Sequence, residues 1–235
     1  MAVDAGLVRS VGLSRAVALG LSAAASLAYL LFPRWAPSSL EIVVKGLSVT
    51  LLALIAFQAN RRLLSLALLL SSLGDVLLAR GLNFFLWGLA AFLCAHLVYI
   101  ALFVRRRASA AAASGQWAFP ALVLVFGWAF GAYLAPSLGA LRVPVFCYIA
   151  AIVAMVAAAS RANYRSRWVL AGAVLFLVSD SLLGAGRFKT PIPLGGPLVW
   201  ITYYAGQCAI TLGVLSEPDY RLTSDNSHAY QGSRI

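Results

Sequence analysis

The chain has 235 residues, 62% of them apolar and only 11% charged. Soluble domains run nearer ~45–50% apolar and ~25% charged, and a single core of this size could not hide such an excess. The net charge of +11 points toward nucleic acid until its placement is read: the arginines stand singly or in short clusters between apolar runs, as in the loops of a membrane protein, so a nucleic-acid partner is excluded.

A spanning helix needs ~20 apolar residues. In chain order the runs that qualify are 13–32, 40–58, 63–80, 84–104, 117–135, 141–160, 168–185 and 197–215. The expected fold is therefore all-α, a polytopic membrane protein with about eight transmembrane helices and the lipid bilayer as its partner. The first run has no cleavable signal pattern and reads as a retained helix. Turn or charge signals separate the runs: Pro33 and Pro37, Asn60-Arg61-Arg62, Arg80-Gly81, Arg105 to Arg107, Pro136, then 161–167 and 186–193. These connections are short, so neighbouring helices should lie antiparallel. Residues 1–216 form one transmembrane domain in this reading, and 217–235 a polar flexible tail.

Tryptophans mark run ends at Trp35, Trp87, Trp117, Trp168 and Trp200, the pattern of an interfacial belt, while Trp128 falls mid-run and reads as packing. Cys94, Cys147 and Cys208 lie within apolar runs with no CxxC and read as apolar filling. With alternating orientation, one side collects twelve of the Lys and Arg residues and the other six. The positive-inside rule then places both termini in the cytoplasm.

Of seven acids, Asp4, Glu217, Asp219 and Asp225 fall in the tails and Glu41 at a run edge. Asp75 and Asp180 remain inside spans, where an Asp costs ~2.5–3.5 kcal/mol at a helix centre. Each lies about five residues from the outer end of its run, roughly 8 Å deep. Lys45 enters to a similar depth, and His96, Tyr203, Tyr204 and Gln207 sit somewhat deeper. Polar groups from five helices thus share one slab of membrane, and a single inward-facing pocket would account for them. Gly88, Phe92, His96 and Tyr99 share one helix face. Blander readings stand beside this one: a snorkelling Lys45, a core His96, tyrosines as interfacial anchors, the two acids as a structural set with Lys45, and the adjacent serines and Gly74 as small residues permitting close helix contact. No metal is expected, because His96 is the one histidine inside a span and no ligand motif surrounds it. A short echo, Gly74-Asp75-Val76-Leu77-Leu78 against Ser179-Asp180-Ser181-Leu182-Leu183, suggests two parallel four-helix halves.

The same residues carry a resemblance. Lys45-Gly46-Leu47, Ser72-Leu73-Gly74-Asp75, Phe85-x-x-Gly88-x-x-x-Phe92-x-x-x-His96-x-x-Tyr99, Gly172 through Phe176 with Ser179-Asp180, and Thr202-Tyr203-Tyr204-x-x-Gln207 together resemble the lysoplasmalogenase family of YhhN-like membrane proteins, over about residues 40–215. In the tail, Tyr220-Arg221-Leu222-Thr223 resembles animal members. The resemblance implies an eight-helix enzyme without a cofactor, in the endoplasmic reticulum membrane if the cell is eukaryotic. Its substrate would be a lysophospholipid, whose vinyl ether bond is hydrolysed to a fatty aldehyde and a glycerophospho-ethanolamine or -choline. Asp75 and Asp180 would then share acid and base roles, with Lys45, His96, Tyr99, Tyr203, Tyr204 and Gln207 holding substrate or water. The alternative is a proton-coupled transporter or lipid carrier, for which an intramembrane acid pair and a repeat are equally suited.

Overall fold

Apolar runs with no water around them must close their backbone hydrogen bonds internally, and helices are the local way to do so. The computed structural model describes residues 5–31, 38–106 and 117–217. Its helices are α1 (Ala5–Leu31), α2 (Ser38–Gln58), α3 (Arg62–Ala79), α4 (Phe85–Val104), α5 (Ala118–Leu134), α6 (Arg142–Ser160), α7 (Trp168–Phe188) and α8 (Gly195–Leu215). All eight are long and apolar enough to cross a membrane. The tail from 218 onward lies outside the described residues, as do Pro33, Arg34, Trp35, Pro37 and Arg107.

Helix ends follow local chemistry. Asn60 turns the chain from α2 into α3 with φ 57, and Gly81 leaves α3 at φ 99, a conformation that costs glycine no Cβ clash. α7 runs three residues beyond the expected break, to Phe188, and stops ahead of Pro191. Asp180 therefore lies eight residues from the end of α7, whereas Asp75 lies four from the end of α3.

Neighbouring helices are antiparallel: Arg15, near the start of α1, donates from Nη2 to the carbonyl of Gln58 at the end of α2, at 2.9 Å. The closest pairs are α3 with α4 and α7 with α8. At the second, a Cβ on Gly172 would fall 2.6 Å from the Gly206 carbonyl oxygen, so the two backbones touch, as small residues in membranes permit. α2 meets α8 and α4 meets α6 across the bundle, while α5 sits at the periphery on α6 and touches α7. Serines bond between helices: Ser72 Oγ donates to the Gly46 carbonyl at 2.8 Å, and Ser179 Oγ to the Val199 carbonyl at 2.9 Å.

Two tryptophans depart from expectation. Trp128 is 77% exposed on the outer face of α5, where lipid rather than protein can cover an apolar ring. Trp200 is buried, and its indole N–H donates to Ser26 Oγ at 3.0 Å; its place at a helix end puts it over a cavity instead of in the headgroup layer. Glu217, assigned to the tail from sequence, is also buried. Its carboxylate accepts from the Arg165 amide at 2.6 Å and from Arg106 Nη1 at 3.4 Å, while its carbonyl accepts from Arg61 Nη2. The residue thereby ties the end of α8 to α3, α4 and the α6–α7 connection.

Candidate active site

Seven helices aim side chains at the end of the bundle opposite Glu217. Asp75 on α3 is almost fully buried. Its Oδ1 lies 3.7 Å from Lys45 Nζ on α2, and its Oδ2 accepts from the Tyr203 hydroxyl on α8 at 2.6 Å. Lys45 does not snorkel outward: its ammonium rests 5.5 Å from the centre of the Tyr29 ring and 5.6 Å from that of Trp200, a cation–π seat that holds it toward Asp75. Asp180 on α7 accepts at Oδ2 from the Tyr148 hydroxyl on α6 at 2.6 Å. His96 Nε2 on α4 lies 3.1 Å from the same hydroxyl and 3.4 Å from Asp180 Oδ2. Since the Tyr148 proton goes to Asp180, its oxygen is left to accept from His96 Nε2–H, and His96, Tyr148 and Asp180 form a directed chain.

The two acids thus have parallel surroundings. Each sits on the third helix of its four-helix stretch. Each is met by a residue of the helix before it (Lys45, Tyr148) and by one from the last helix of the other stretch (Tyr203, His96). Phe92 and Phe176 stand between the two sets, with Phe176 4.9 Å from the His96 ring and 5.2 Å from that of Tyr203, centre to centre.

Asp75, Asp180, Lys45 and Tyr203 line one polar cavity of about 460 Å³, together with Tyr29, Trp200 and Arg187. His96 is fully buried behind it and reaches it through Tyr148. Tyr99 and Gln207, bonded to one another through Tyr99 Oη, are fully buried and do not line it. Tyr204 points elsewhere: its hydroxyl pairs with Ser22 Oγ of α1 at 2.8 Å, because neighbouring residues on a helix diverge by about 100°. Tyr148 and Arg187 had drawn no notice in the sequence. A hydroxyl in the apolar middle of α6 was the available signal for Tyr148. Among the described residues no three His, Cys, Asp or Glu side chains gather as metal ligands.

The chain also has relatives among known proteins. The sequence profile of the YhhN family matches residues 40–214, which takes in every residue of both acid clusters. The chain belongs to the YhhN family. Within it, the chain is 38% identical over 160 residues to a protein of Mycobacterium bovis named lysoplasmalogenase, covering 66% of this chain and 60% of that protein. It is 33% identical over 167 residues to the human lysoplasmalogenase TMEM86B, covering 67% of this chain and 65% of that one. The matched stretch is thus less than two thirds of these relatives' length. No solved structure matches this YhhN chain.

Proposed function

We propose that this YhhN protein is a membrane-embedded hydrolase that cleaves the vinyl ether bond of lysoplasmalogens, lysoplasmenyl-ethanolamine or -choline, by two-carboxyl acid–base catalysis. The observation that carries the reading is the pair of carboxyls, Asp75 and Asp180, opening into one cavity within the membrane slab while each holds a tyrosine hydroxyl at 2.6 Å. Family membership and the names of its relatives support the substrate class.

In this reading a carboxylic acid protonates the β-carbon of the vinyl ether and leaves an oxocarbenium ion. Water adds to the cationic carbon and gives its proton to the second carboxylate. The hemiacetal then collapses to a fatty aldehyde and an alcohol, so one water is consumed and both protons are returned. Glycosidases meet a related oxocarbenium problem with two carboxyls. We assign the anionic role to Asp75, whose charge the Lys45 ammonium balances, and the donor role to Asp180, whose contacts are a tyrosine hydroxyl and an imidazole. His96 and Tyr148 then line up to return a proton to Asp180. Arg187 at the mouth suits the substrate phosphate better than Lys45, which is already engaged.

Both termini are proposed to face the cytoplasm, with Arg15, Arg61, Arg62, Arg105, Arg106, Arg161, Arg165 and Arg167 at the Glu217 end of the bundle. A C-terminal reporter glycosylated in the lumen would contradict this. The function is tested by incubating purified protein with lysoplasmenyl and matched lysoacyl lipids and following products by mass spectrometry. Aldehyde from the vinyl ether lipid alone supports the hydrolase. Intact lipid, together with gradient-dependent flux in sealed vesicles, would instead support the carrier reading.

A further inference from the structure

A second void adjoins the polar cavity and differs from it in chemistry. It is a narrow crevice between α4, α5, α6 and α7, and its walls are apolar apart from the residues it shares with the polar cavity, chiefly Asp180 and Arg187, and Tyr148 and Ser181 beside them. Asp180 stands at the junction, one face toward the polar cavity and the other toward the crevice. Away from the acid the crevice is bounded by Phe126, Phe130 and Ile149. Phe126 is 42% exposed on the outer surface of α5, so the crevice reaches the lipid-facing side of the bundle. Gly184 lies one turn beyond Asp180 on α7 and lines the same wall. A Cβ there would stand at ordinary contact distance, 3.4 Å from the Phe130 ring and 3.5 Å from Leu134. Glycine is therefore not required for α7 to approach a neighbouring backbone, and its missing side chain leaves the crevice open.

We infer that this crevice, about 50 Å³ in volume, is the subsite for the few carbons of the lysolipid's hydrocarbon chain next to the vinyl ether, with Gly184 and Phe130 setting how much chain it admits. The inference rests on the proposed vinyl ether chemistry and adds an orientation to it. A vinyl ether joins an apolar chain to a polar glycerophosphate, and Asp180 sits where an apolar crevice meets a polar cavity. With the chain in the crevice and the headgroup toward Arg187, the bond between them lies against Asp180. The crevice does not draw the chain by hydrophobic burial, since the chain leaves one hydrocarbon environment for another. Its contribution is position and exclusion.

Two opposite substitutions test this. Gly184→Leu places a branched side chain in the crevice and should lower kcat/KM for long-chain lysoplasmenyl lipids roughly tenfold to hundredfold, the usual scale of overpacking, while short-chain lipids are cleaved near the parental rate. Phe130→Ala widens the same wall and should shift preference toward longer or branched chains. A second readout does not depend on catalysis: a lysophosphatidylcholine analogue with a non-cleavable alkyl ether chain bearing a diazirine in its first few carbons, photolysed in detergent and mapped by mass spectrometry. Labelling of Phe126, Phe130 or Ile149 that excess unlabelled lysolipid competes away, and that Gly184→Leu removes, is the expected result. Labelling confined to outward residues such as Trp128, with no competition, would overturn the inference even if hydrolysis is robust. Competed labelling in the crevice without any vinyl ether cleavage would uphold the chain subsite and refute the proposed reaction instead.

Discussion

Replacing Asp75 by Asn separates the chemical role of this carboxyl from its structural one. Asn is nearly isosteric, and its carbonyl oxygen can still accept from Tyr203, but it cannot balance Lys45. The pair is well enclosed, with side chains 14% and 4% exposed and 3.7 Å between the charged atoms. Removing one partner of a buried pair costs about 3–5 kcal/mol, which for a chain of this size lowers the melting temperature on the order of 10 °C. If Asp75 also accepts the proton from water, turnover should fall by ~10²–10⁴-fold. The double substitution Lys45→Met with Asp75→Asn removes both charges from beside the Tyr29 and Trp200 rings, so most of the lost stability should return. Activity should not return with it. Melting curves in detergent and aldehyde release, measured on parent, both single variants and the double, give the full cycle. Near-parental turnover by the Asp75→Asn protein would refute the two-carboxyl mechanism. Equal melting temperatures across all four proteins would refute the buried pair.

Asp180→Asn should lower turnover by a similar ~10²–10⁴-fold, and combining it with Asp75→Asn should be little worse than the worse single change, because groups that act as a unit are not additive. Tyr148→Phe removes the hydroxyl that both His96 and Asp180 contact and leaves only the 3.4 Å approach of His96 Nε2 to Asp180; aldehyde release should fall about 3–10-fold, the worth of one hydrogen bond, and an unchanged rate and pH profile would remove Tyr148 from the proton path. Glu217→Ala should destabilise the bundle by about 1–3 kcal/mol, since it removes the buried carboxylate that accepts from the Arg165 amide, while vinyl ether cleavage per folded molecule is unchanged. EDTA should leave activity intact; loss on chelation with rescue by zinc would mean that His96 and the acids hold a metal.

The membrane class, the eight helices and their near boundaries could all be read from the sequence because they depend on local quantities. An apolar run of sufficient length must become a helix in lipid, whatever its neighbours are. The cost of placing Asp75 and Asp180 in such runs is equally local, and it singled them out with no knowledge of the fold. Lys45, His96 and Tyr203 could be placed near the acids by depth, but which of them meets which acid was not legible and Tyr148 went unnoticed, because the four come from four other helices, and helix rotation depends on close contacts such as Gly172 against Gly206. Rotation also separates Tyr203, in the cavity, from Tyr204, bonded to Ser22, although the sequence offers them as a pair. Trp200 and Glu217 looked interfacial and solvated by position along the chain, and both were buried by elements far away in sequence. Composition and spacing determine which side chains are costly in a membrane; only the assembled bundle determines which of them meet, because a contact between helices is a property of two surfaces and the sequence describes each surface alone.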